Sequence, residues 1–94
     1  MSTQDTDQSS RELDPEDESG AVVTAIGRRL KVWREAAGLT FGQFAARMDY
    51  GPDLISKIER GQRIPRPEYL GKADEALEAK GKISAMKADV IKAR

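Results

Sequence analysis

The stretch from residue 38 to residue 61 constrains the fold of this chain more than any other part of the sequence. Thr40 and Gln43 stand three residues apart at the start of an apolar run, which is the spacing of a capping box at a helix N-terminus. Pro52 suits the first position of another helix, and Gly61 suits its end. The sequence therefore predicts two short helices joined by a tight turn, over residues 41–48 and 52–60.

Apolar residues recur at helical spacing on both sides of this stretch. Ile26, Leu30 and Trp33 form one such stripe, and we see no period-2 alternation long enough for a strand. We therefore expect an all-α fold, a compact bundle of about five short helices that contains a helix-turn-helix. The remaining three helices are predicted over residues 23–37, 68–80 and 83–94.

The formal net charge of the 94-residue chain is zero, but its charges are unevenly distributed. Residues 1–20 carry seven acids and one base and have a net charge of −6, whereas the other fifteen bases and nine acids give residues 21–94 a net charge of +6. The first segment has too few apolar residues to offset the entropy lost on ordering. We expect a disordered acidic tail over residues 1–20 and a helix-turn-helix domain over residues 21–94, whose positive charge indicates a nucleic-acid partner.

The composition argues against several functional classes. The chain has no Cys and no His, so it lacks disulfides, thiolate nucleophiles and the usual ligands of zinc. Ser56 has no His partner, and the carboxylates form no evident pair, so we expect no catalytic residue, no metal, no cofactor and no enzymatic activity. No run approaches the roughly 20 apolar residues of a membrane span, and we expect a cytoplasmic protein without a membrane partner.

Three pieces of the sequence carry a family resemblance: E-A-A-G-L-T, F-A-A-R-M and I-S-K-I-E-R-G-Q-R-I-P. Together they closely resemble the Cro/C1-type (XRE) helix-turn-helix family of DNA-binding domains, over roughly residues 24–80. The resemblance implies a lambda-repressor-like fold whose helix at about 52–60 reads the major groove. The sequence also resembles bacterial, specifically actinobacterial, transcriptional regulators in which a larger C-terminal effector domain follows, so we expect such a domain or a protein partner.

The resemblance also implies roles for individual residues. Four are expected to face the bases: Pro52, Asp53, Ser56 and Lys57. Six are expected to lie near the DNA backbone or the minor groove: Thr40, Phe41, Arg60, Gln62, Arg63 and Arg66. Arg34 and Glu59 are expected to form a structural ion pair. Many relatives have Gln in place of Phe41; a Phe side chain cannot bind phosphate, although the backbone N–H groups there can.

We interpret the chain as a sequence-specific regulator of transcription that binds double-stranded DNA as a homodimer and associates with the nucleoid. The alternative is a protein-interaction adaptor with the same fold, which would hold its partner through Phe41, Tyr50 and Leu54. Salt-dependent binding to random DNA distinguishes the two, because contacts with phosphates release counterions and adaptor contacts do not.

Overall fold

The structure is a computed structural model that describes the backbone of residues 15–93 and the side chains of residues 20–93. A 3₁₀ turn, Ser84–Met86, leads into the last of the helices. The described part contains no strand, so the predicted all-α fold is confirmed. The α-helices are α1 (Pro15–Ala36), α2 (Phe41–Met48), α3 (Pro52–Glu59), α4 (Pro67–Ala76) and α5 (Lys87–Ala93).

The first helix begins earlier than the sequence predicted. It already includes Pro15, the first residue described, whereas the apolar stripe placed the start at Val23. Residues 15–20, which we assigned to a disordered tail on composition, are therefore helical. Composition averages over the whole segment, so it does not locate a helix within it. Residues 1–14 lie outside the described residues, and the division of the chain at residue 20 stays a prediction.

Every helix contributes to one hydrophobic core. α1 packs against α3 and α5, while α2 packs against α3 and α4. One side chain from each helix is completely enclosed: Leu30, Phe44, Ile55, Leu70 and Val90. Full burial of an aliphatic or aromatic side chain of this size contributes about 1.5–3 kcal/mol to folding. The helices of the turn motif are thus held from one side by this core.

Gly27 allows α1 and α3 to pack closely. A β-carbon at this position would overlap the backbone carbonyl oxygen of Ile58 and would lie 2.8 Å from that of Glu59. Both carbonyls belong to a helix backbone, so neither can rotate away. A glycine inside a helix is intrinsically unfavourable, and here the close contact between the two helices offsets that cost.

The last two helices are shorter than the sequence predicted. α4 covers Pro67–Ala76 instead of residues 68–80, because Glu78 and Lys80 adopt left-handed backbone conformations with φ of 53° and 56°. α5 begins at Lys87, after the 3₁₀ turn, instead of at residue 83. The apolar residues keep their helical spacing through both irregular segments, so the sequence pattern predicted helix there.

The turn after α4 is organised by Asp74. Its carboxylate accepts hydrogen bonds from the backbone N–H groups of Gly81, Ile83 and Ser84, with donor–acceptor distances of 2.9, 2.9 and 2.8 Å. Burial opposes ionisation of the carboxyl group, but these donors outweigh it and hold the pKa of Asp74 below its ordinary value. The charged form of Asp74 therefore stabilises the fold.

We predict that Gly27→Ala lowers the free energy of unfolding by about 1–3 kcal/mol, because the added methyl group forces α1 away from α3. Gly42 in α2 is the matched control, since its surroundings are open. Gly42→Ala should stabilise the protein by up to about 1 kcal/mol through helix propensity alone. Urea denaturation at neutral pH measures both, and equal effects of the two variants would contradict the close contact.

We predict that Asp74→Ala lowers the free energy of unfolding by about 1–3 kcal/mol at neutral pH, because buried N–H donors lose their acceptor. The folded pKa is lowered, so the contribution is complete above the ordinary carboxyl pKa of about 4 and is lost as the pH falls through the folded pKa. Urea denaturation of both proteins should therefore give a difference that is constant above about pH 4 and shrinks as the pH falls below it. A difference that stays constant with pH would disprove this role, and the exposed Glu75→Gln serves as the control.

Candidate nucleic-acid interface

A tight turn sets the angle between α2 and α3. Asp49 ends α2 in the left-handed conformation, with φ 61° and ψ 40°, which Asp tolerates better than most residues. Gly51 then forms the extended N-cap of α3, and Pro52 is the first helical residue. At the other end of α2, the Thr40 hydroxyl accepts from the Gln43 N–H at 3.1 Å, and the Gln43 side chain accepts from the Thr40 N–H at 2.9 Å. Both short helices therefore begin where the sequence placed them.

A buried ion pair joins the end of α1 to the end of α3. Arg34 Nε donates to Glu59 Oε2 at 2.8 Å, and Arg34 Nη2 donates to Glu59 Oε1 at 3.0 Å. The two residues are 7% and 6% exposed, so the pair lies within the protein. The structure thus contains the pair that the family resemblance implies. Its two parallel hydrogen bonds fix the direction of both side chains.

The same guanidinium group also holds the start of α2. Arg34 Nη1 donates to the backbone carbonyl of Leu39 at 2.7 Å, just before the helix begins. The guanidinium carbon lies 4.3 Å from the centre of the Phe41 ring, within the range of a cation–π contact. The side-chain hydrogen bond to Glu59 raises the pKa of Arg34 above its already high value, so the group stays charged. Arg34 consequently links both helices of the turn motif.

The four residues predicted to face bases lie on α3. Pro52, Asp53 and Lys57 are exposed, and Ser56 is half-buried. Lys57 follows Asp53 by one helical turn, so the two side chains share one side of the helix. Ile55 lies on the opposite side and is fully buried. The exposed side of α3 therefore offers an acceptor and a donor one turn apart.

The six residues predicted to lie near the DNA backbone form two groups in the structure. All are exposed: Thr40, Phe41, Arg60, Gln62, Arg63 and Arg66. The last three are brought together along one groove after α3. Thr40 caps α2 and Phe41 begins it, and Arg34, the partner of Glu59 at the end of α3, contacts the Phe41 ring. Arg60 is the C-cap residue of α3, between the two groups in sequence.

Sequence reasoning missed the roles of two residues that position this surface, Gly27 and Leu39, and of Asp74, which organises the turn after α4. A glycine inside an otherwise apolar helical stripe is a signal that could have identified Gly27. The role of Leu39 rests on its backbone carbonyl, which no sequence pattern reveals. Asp74 acts on N–H groups seven to ten residues later, across a turn that the apolar periodicity concealed.

Over residues 20–93, no group of three or more Asp, Glu, His or Cys side chains is arranged to hold a metal ion. None of the described helices combines the length and the apolar character needed to cross a membrane.

The arrangement of α2, turn and α3 is that of a helix-turn-helix, a class of DNA-binding motif. Comparison with protein-family models matches residues 25–82, more than half of the chain, to the family described as a helix-turn-helix domain. The chain belongs to this family, and the membership indicates DNA binding. Searches of curated proteins and of solved structures found no match.

We predict that Glu59→Gln lowers the free energy of unfolding by more than about 1 kcal/mol, because it leaves the charge of Arg34 buried without its partner. Breaking a fully buried pair costs about 3–5 kcal/mol. Glu35→Gln, at an exposed neighbour of Arg34, should change stability by no more than about 0.5 kcal/mol. Chemical denaturation measures both, and a near-zero effect of Glu59→Gln would show that the pair does not stabilise the fold.

Proposed function

We propose that the protein is a transcriptional regulator that binds a specific sequence of duplex DNA. In this proposal α3 lies in the major groove, and a homodimer binds two half-sites about 34–36 Å apart. The observation that carries the proposal is the exposed pair of Asp53 and Lys57, because a helix-turn-helix presents this part of its second helix to base edges. We place the protein in the cytoplasm, associated with the nucleoid.

The side chains on α3 define what the protein would recognise. Lys57 can donate to O6 and N7 of guanine, and Asp53 can accept from N4 of cytosine. Ser56 offers a hydroxyl that donates or accepts, while Pro52 offers an apolar surface that suits the methyl group of thymine. The preferred half-site should therefore contain a guanine and a cytosine within a few base pairs of each other.

Contacts with phosphates would come from the two groups that flank the reading helix. The first N–H groups of α2 have no acceptor within the helix and attract an anion, and the capping box leaves those of Phe41 and Gly42 uncapped. On the other side, Arg63 and Arg66 supply positive charge from the segment that follows α3. These contacts would set the orientation of α3 and supply much of the salt-dependent affinity.

We predict that Lys57→Ala and Arg63→Ala impair DNA binding in different ways. Lys57→Ala should cost about 1–3 kcal/mol on the preferred site and relax the preference at one or two base positions. Arg63→Ala should weaken binding to all sequences alike and reduce the dependence of log affinity on log salt by about one. The measurement is binding of each variant to a site selected from random DNA and to a scrambled site, at several salt concentrations.

Asp53→Asn is an independent check, because Asn pairs with adenine and should replace a preferred cytosine with adenine in a repeated selection. If Lys57→Ala lowers affinity for both DNAs equally, Lys57 contacts phosphate and does not read bases. If neither variant changes DNA binding, the regulator proposal is wrong. A protein-interaction adaptor would then replace it.

A further inference from the structure

A groove of about 490 Å³ lies beside the end of α3. Its floor combines two residues of α3 with two residues of the segment that follows, and the accessible apolar surface comes from the half-buried Leu54 and Ile64, since Ile58 and Pro65 are buried. The half-buried ring of Tyr50 completes the floor and packs on the ring of the fully buried Tyr69, with the ring centres 5.2 Å apart and the planes inclined by 32°. Burial raises the pKa of Tyr69, so its phenol stays neutral and adds no charge.

The rim of this groove is positively charged. Arg63 and Arg66 line it together with the amide of Gln62, and no lining residue carries a carboxylate. Pro65 and Pro67 flank Arg66 and restrict the backbone on both sides of it. A guanidinium group attached to a restricted backbone loses less entropy when it binds an anion.

We propose that this groove binds a small amphiphilic carboxylate, with its apolar body on the floor and its carboxylate between Arg63 and Arg66. The volume lies within the range of about 300–1,000 Å³ that is typical of small-molecule sites. An apolar floor selects for an apolar body, and a rim with two positive charges and no negative charge selects for an anionic head.

The same two arginines are the proposed phosphate contacts. A carboxylate bound between them would therefore exclude a phosphate, and the ligand would release DNA without any change of fold. This competition rests on the proposed function, whereas binding of the ligand to the groove does not.

The probe for the test is 2-naphthoate, with 2-naphthamide as the neutral control of the same shape and acetate as the anion without an apolar body. Titration of the ¹⁵N-labelled full chain with naphthoate should shift the amide resonances of Leu54, Ile64 and Tyr69. Naphthamide should bind about tenfold more weakly, since each of the two exposed ion pairs contributes about threefold, and acetate should produce no saturable shift. Equal binding of naphthoate and naphthamide would overturn the proposal, and so would the absence of shifts in the groove.

Two variants test separately how the floor and the rim of the groove contribute to naphthoate binding. Leu54→Ala should weaken naphthoate binding about tenfold through lost apolar contact. Arg66→Gln changes an exposed side chain, so the fold is retained, and it should weaken naphthoate binding about threefold while leaving naphthamide binding unchanged. Val32→Ala is the matched control, because Val32 is 64% exposed and lies beside Arg28 and Arg29 in another shallow depression. If Val32→Ala weakens binding as much as Leu54→Ala, the ligand does not occupy the groove.

Competition is measured separately, by adding naphthoate to the complex with a selected DNA site. The apparent Kd for DNA should rise in proportion to the occupancy of the groove, and naphthamide should have a smaller effect. DNA that stays bound while naphthoate fills the groove would overturn the competition. If the protein binds no DNA at all, the proposed function fails, and the naphthoate titration still decides whether the groove is a ligand site.

Discussion

The bidentate pair between Arg34 and Glu59 is the interaction on which the proposed DNA surface depends. Glu59 is the last residue of α3, and Arg34 also holds the Leu39 carbonyl at the entrance to α2. A single guanidinium group therefore fixes the end of one helix of the motif and the beginning of the other. It can do so because Gly27 lets α1 lie directly against the carbonyl end of α3. Without its partner, either charge would remain in an interior where an isolated charge costs several kcal/mol.

Directed polar contacts of this kind are needed because the helices of the motif are short. α2 and α3 have eight residues each, and isolated helices of that length are unstable in water. Burial of apolar side chains supplies the driving force, but it is non-directional and does not by itself set the angle between two short helices. The capping box at Thr40, the ion pair and the carboxylate of Asp74 all make directed bonds to backbone or side-chain partners. Such bonds define one arrangement among the many that would bury the same apolar surface.

The sequence predicted those parts of the structure that depend on neighbouring residues. The starts of α2 and α3 follow from Thr40 and Pro52, because a capping box and an N-terminal proline act within one turn. It predicted the ends of α4 and the start of α1 less well, since apolar periodicity and composition average over many residues. The roles of Gly27 and Asp74 were not predicted, because they depend on which distant backbone atoms the fold brings close, although a glycine inside an apolar stripe is a local signal for the first of them. Only the family resemblance predicted the ion pair.

The charges of the protein therefore have two separate roles, which the net charge of zero conceals. Arg34, Glu59 and Asp74 are buried, and their partners within the fold satisfy them. Lys57, Arg63 and Arg66 are exposed on and after α3, where an anion can reach them. The ion pair holds the end of α3, the helix that carries Lys57, whereas Asp74 holds the turn after α4. Arg63 and Arg66 also border the groove beside α3, so the same two side chains can bind either a phosphate or a carboxylate. The two anions would then compete for one position, and no change of fold is needed for one to displace the other.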